Sequence, residues 1–194
     1  MNNEIIDNYL NKFEEDLRRE LLSLCSQDKW LNKTLLESQD ITDYWLTVEE
    51  KYIADAVPNV QQYPLVSVGW AAYLGMAVAY CWDVDWSTYR AVPYEQFYGD
   101  EGFDNMDDHI VRDILAHPLD SQDALRLRAV IQRLAQATVG KIRHEQIEPS
   151  TPMAYHIFIR ACRAMFAIGA AIQLHALGYK FEKLLDKTSH RLRR

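Results

Sequence analysis

The chain has 194 residues, a formal net charge of −7, 48% hydrophobic residues and 25% charged residues. That balance excludes a disordered or fibrous chain and speaks against nonspecific nucleic-acid binding, because phosphates call for a basic face. A chain of this length buries roughly 70% of the surface its unfolded form exposes, so a single domain over residues 1–194 needs no covalent staples. Cys25, Cys81 and Cys162 are widely separated and form no CxxC pair. They point to reduced thiols in a cytoplasmic protein, not to a disulfide framework or a zinc knuckle. Residues 1–7 lack the basic start and long apolar stretch of a signal peptide.

Ile6, Leu10, Phe13, Leu17, Leu21 and Leu24 recur every three or four residues, which predicts an amphipathic first helix. A shorter helix is expected over 29–38. Asp40 and Asp43 resemble an N-terminal cap before Ile41, Tyr44, Trp45, Val48 and Tyr52, again at helical spacing. Pro58 and Pro64 bracket a turn-rich connector.

From Ala56 to Trp82 the chain runs 27 residues without Asp, Glu, Lys, Arg or His. Its helical part, about 64–82, matches the shortest transmembrane span. Its composition is Ala, Gly, Ser and Tyr where a span favours Leu and Ile, and no Lys or Arg flanks it closely, so no membrane is expected. Ser67, Ala71, Gly75 and Ala79 fall at strict i,i+4 spacing and form a ridge without bulk, which lets a second backbone approach. The expected partner is the helix over about 152–177, rich in Ala161, Ala164, Ala167, Gly169, Ala170 and Ala171. Between them, Asp104 and Asp107 read as a cap before Ile110, Val111, Ile114 and Leu115. Pro118 to Ser121 introduces a long helix to about Ile147. The prediction is an all-α helical bundle of about seven helices around this central small-residue pair, ending in a basic tail over 187–194.

Charge is segregated. Acids dominate residues 83–113, while 125–144 and 180–194 are basic. Acidic and basic segments are expected to face each other in the fold or across an interface.

Residues 82–103 combine Trp82, Trp86, Tyr89, Tyr94, Phe97, Tyr98 and Phe103 with Asp83, Asp85, Glu95, Asp100 and Glu101. Aromatic faces beside carboxylates suit a sugar, a cationic ligand or a basic peptide, the last two through cation–π attraction and charge. The candidate binding residues are Asp83, Asp85, Trp86, Tyr89, Tyr94 and Tyr98. The competing use of the same aromatics is to seal one end of the bundle.

Asp104, Asp107, Asp108, His109 and Asp113 add oxygen ligands and an imidazole, yet neither paired Glu-x-x-His nor His-Glu-x-x-His occurs. Capping and the helix dipole account for these acids, so no metal and no cofactor is expected. His156 and His175 lie in an apolar helix, where a hydrogen-bonded core histidine is the ordinary use.

No catalytic motif is present. The chain reads as a non-catalytic interaction or regulatory module with a protein partner or a second copy of itself. The alternative is a small-molecule-binding protein or metal-dependent enzyme whose site lies in 82–113.

Overall fold

The computed structural model describes residues 3–60, 64–181, 183–184 and 187. The protein is 76% helical, with six helices and no strands among the described residues. The helices are α1 (Asn3–Gln27), α2 (Gln39–Val60), α3 (Pro64–Tyr89), α4 (Met106–His109), α5 (Gln122–His144) and α6 (Pro152–Ala176). Two 3₁₀ turns, Tyr94–Phe97 and Phe103–Asn105, precede α4, and a π turn, Ile110–Ile114, follows it.

The two small-residue helices form the centre, as their ridges require. Ser67, Ala71, Gly75 and Ala79 of α3 are all buried. Gly75 lies against the Phe166 carbonyl of α6, and Gly169 of α6 lies against the Ala72 carbonyl of α3. A Cβ on either glycine would overlap that oxygen, so the crossing is close because both positions are bare. The other helices pack around this pair, each burying one face. Leu10, Phe13, Leu17 and Leu21 of α1 and Leu127, Ile131 and Leu134 of α5 enter the core. Ser121 and Thr151 cap α5 and α6 by accepting from the amides of Ala124 and Ala154, each at 3.2 Å.

The buried Glu14 and half-buried charges around it join α1, α2 and α6. Glu14 accepts from Arg18 at 2.8 Å and from Arg160 at 2.9 Å. Arg163 forks onto Glu49 through Nε at 2.9 Å and Nη2 at 2.8 Å, and the Trp45 indole donates to the same carboxylate. The forked geometry suits guanidinium and carboxylate planes.

Four expectations are corrected. Residues 29–38 are not helical, which leaves six helices where about seven were predicted. Lys29 takes a left-handed conformation (φ 62°), and the Trp30 amide returns to the Cys25 carbonyl at 2.8 Å, ending α1. Leu31 and Leu36 are then buried without a helix, and Glu37 pairs in a β-bridge with Lys183. The connector expected from Pro58 is instead the last turn of α2, which runs to Val60. A proline that near a helix end removes little. Third, α3 continues past Trp82 to Tyr89 across a kink at Asp85 (φ −159°, ψ 82°). Fourth, α3 and α6 are both long and apolar enough to cross a membrane, where the sequence suggested one such segment. In their most apolar windows, 83% and 72% of residues are buried inside the protein. Most of the basic tail, 188–194, lies outside the described residues.

Candidate functional site

The acidic, aromatic end of α3 is where the sequence concentrates candidate chemistry, and its centre is Trp82. The indole N–H donates to Asp40 Oδ2 at 3.0 Å. That same oxygen accepts the Lys187 amide at 2.7 Å. The Lys187 ammonium stands 4.3 Å from the centroid of the Trp82 ring. It donates to the Trp82 carbonyl at 2.5 Å and to the Asp83 carbonyl at 2.9 Å. Both carbonyls lie in the turn just before the kink at Asp85, where non-helical backbone interrupts α3. Lys187 therefore acts as a cation at a helix end, a position the backbone dipole favours.

Tyr179 closes the other side. Its hydroxyl donates to Asp83 Oδ1 at 2.6 Å, and its ring meets Trp82 edge-on at 5.6 Å. Burial first, and the Asp83 carboxylate second, push the Tyr179 hydroxyl up to about 12. It stays a donor throughout the physiological range.

The remaining candidate residues are distributed differently. Asp85 is fully exposed and accepts from Ser87 Oγ and Thr88 Oγ1, each at 2.6 Å, and from the Thr88 amide at 3.3 Å. These bonds hold its carboxyl below the usual range and cap the last turn of α3. Trp86 is 6% exposed and packs edge-on to Tyr44 at 6.1 Å. Tyr89 is half-buried. Tyr94 is 1% exposed; its hydroxyl donates to Asp55 and its ring meets Tyr52 and Tyr98. Tyr98 continues through Phe103 to Trp70. The aromatic run thus forms ring contacts that close this end of the bundle. Of the six candidates, the structure brings Asp83 alone into contact with the Trp82 site.

Tyr98 instead lines an open cleft of about 500 Å³ with Glu95, Glu101, His109, Arg112 and Asp113. His109 Nδ1 lies 2.8 Å from Asp113 Oδ2, and Arg112 forks onto the same carboxylate at 2.9 and 2.8 Å. Arg112 leads in holding the Asp113 carboxyl down to about 2. Gly99, at φ 69°, lies so close to the imidazole that a Cβ would stand 2.7 Å from the ring. Among the described residues, no three His, Cys, Asp or Glu side chains are grouped to hold a metal ion.

Sequence reasoning missed Asp40, Tyr179 and Lys187. Asp40 matches a cap pattern, which hides its tertiary role. Nothing local marks Tyr179 or Lys187, since their partners lie about a hundred residues away. The segregated charge was the one available signal.

No known family model, curated protein or solved structure matches this chain.

Proposed function

We propose that this protein is a non-catalytic interaction module that holds a lysine side chain at the acidic, aromatic end of α3. The observation that carries this reading is the seat of Lys187: an indole face, two helix-end carbonyls and the Asp40 carboxylate converge on one lysine. An ammonium has three donors, and here two meet carbonyls while the charge faces a π system. Cation–π attraction contributes about 0.5–2 kcal/mol depending on desolvation. Each hydrogen bond from a charged donor adds about 1.5–3 kcal/mol. Both depend on charge, so the partner chemistry is a primary ammonium.

Further support comes from the state of the thiols. Cys25, Cys81 and Cys162 are buried free thiols. Burial pushes Cys25 and Cys81 up to about 12 and Cys162 well above its ordinary value. Thiols held protonated are poor nucleophiles and suit a cytoplasmic protein. The net charge of −7 favours a protein partner over nucleic acid. The burial of α3 and α6 favours a setting outside the membrane.

The test is chemical rescue in the full chain. Lys187→Ala leaves room for n-butylammonium, which copies the end of a lysine. Saturable movement of the Trp82 indole resonance in the millimolar range, absent with n-butanol, is expected. An equal response to both compounds, or none, would sink the reading.

A second reading, small-ligand binding, is favoured by the open cleft at His109. A ligand whose thermal stabilisation disappears in His109→Ala would move the site there.

A further inference from the structure

We propose that the open cleft beside α4 is a second site, which binds a small hydroxylated amine through His109, Tyr98, Asp100 and Glu101. This rests on the small-ligand reading of that cleft and adds the ligand's chemistry. It leaves the Trp82 seat as it stands.

The imidazole is the defining feature. His109 ends α4 and the π turn follows at once. Ile110 and Val111 are fully buried, so the exposed Arg112 and Asp113 project from an anchored frame. Arg112 forks onto Asp113 and leads in holding its carboxyl down to about 2, so that carboxylate only accepts. His109 Nδ1 therefore donates to Asp113 Oδ2, and the neutral ring keeps its lone pair at Nε2. Gly99 holds the ring in place, because its backbone lies so close to Cγ and Nδ1 that a Cβ has no room. Its φ of 69° also suits glycine. One tautomer and one orientation, set by an anchored element, are what a preorganised binding group requires.

The cleft supplies the rest. Its volume of about 500 Å³ suits a small molecule. His109 Nε2 and the Tyr98 hydroxyl belong to side chains that line it, and neither atom has a hydrogen-bond partner among the described residues. Burial first, and Asp55 second, raise the Tyr98 hydroxyl, so it stays a donor. Glu95 pairs with Lys51 and Asp113 with Arg112, whereas Asp100 and Glu101 form no ion pair among the described residues. The Arg112 charge is matched by its fork, and the surplus in the cleft is negative. Carboxylates alone accept any cation. The acceptor nitrogen and the phenol narrow the choice to an ammonium that also carries hydroxyls, one donating to Nε2 and accepting from Tyr98.

Glucosamine is the probe, with glucose and cyclohexylamine as controls that keep only the hydroxyls or only the charge. In NMR titrations of the full chain, glucosamine should move the His109 and Tyr98 ring resonances saturably. It should bind roughly tenfold tighter than either control, since a site built for both groups rejects analogues lacking one. Asp113→Asn should weaken glucosamine binding at unchanged Tm, and the imidazole nitrogen shifts should show the proton moving to Nε2. An unchanged tautomer would remove Asp113 as the positioning residue. Controls that bind as well as glucosamine, yet lose binding in His109→Ala, overturn the ligand class alone. No binding by any of the three, or binding unchanged in His109→Ala, overturns the cleft as a site as well.

Discussion

Three tryptophans in this protein satisfy their indole N–H with a carboxylate: Trp45 with Glu49, Trp70 with Asp107 and Trp82 with Asp40. A buried indole needs an acceptor, and each pairing places an acid where solvent is scarce. Asp107 bears the electrostatic consequence. Burial leads, and Asp108 adds, in raising its carboxyl above the usual value. A carboxyl whose folded value is raised favours folding below its unfolded value and loses that contribution as pH rises through the folded one. At neutral pH its charge therefore costs stability. Asp107→Asn, which keeps a carbonyl oxygen for Trp70, should raise Tm at pH 7, and the gain should shrink at pH 4. A lower Tm at both pH values would show that the charge is needed, with Arg128 as its counterion. Sequence patterns assigned Asp40 and Asp107 to capping because that rule is local. Their actual donors come from another helix, which no spacing rule reports.

Among the elements, the α3–α6 crossing was the most legible, because small residues at i,i+4 spacing have few other uses in an apolar helix. Its energetics follow from contact between backbones. At Gly75 and Gly169 the neighbouring atoms are carbonyls, which cannot swing aside like a flexible side chain. Gly75→Ala should destabilise by about 2–3 kcal/mol, in the range of overpacked cores. That corresponds to roughly 5–10 °C in Tm for a chain of this size. Gly140 provides the contrast within α5. Nothing lies within 4 Å of its added Cβ, so Gly140→Ala should stabilise by about 0.5–1 kcal/mol through helix propensity alone. Melting curves of the two variants should move in opposite directions; a fall in both would place the constraint elsewhere. The segment 29–38 was misread for a physical reason. Leu31, Leu35 and Leu36 fit a helical face, but their burial is met by an irregular path once Lys29 reverses the chain. The kink at Asp85 was hidden too, since a residue that caps inside a continuous helical pattern leaves no break in hydrophobic period.

At the scale of the whole molecule, charge does more joining than its segregation suggested. Between the acidic 83–113 and basic 125–144 segments, the described ion pair is Asp108 with Arg128. Arg133 reaches Asp28 instead, and the densest network ties α1, α2 and α6 through Glu14, Glu49, Arg160 and Arg163. The Arg163 and Glu49 side chains are 23% and 17% exposed, so solvent screens them only in part. Arg163→Ala should cost about 2 kcal/mol, below the 3–5 kcal/mol of a fully buried pair, because Glu49 is left beside Trp45 without its counterion. Removing both partners as Arg163→Met with Glu49→Gln should recover part of that loss in a double-mutant cycle. Strict additivity would mean the fork contributes nothing of its own. Arg19 with Asp16, an exposed pair within one helix, should be nearly silent.

The bare crossing of Gly75 and Gly169 also sets an order of events during folding. The two glycines bracket close to half the chain, including all of α4 and α5. Helices form locally and early, whereas a contact between distant segments must await the closure of the loop between them. Until it closes, the bare ridge of α3 lacks the α6 backbone that covers it, and α2, its neighbour in sequence, is the nearest surface able to shelter its other faces.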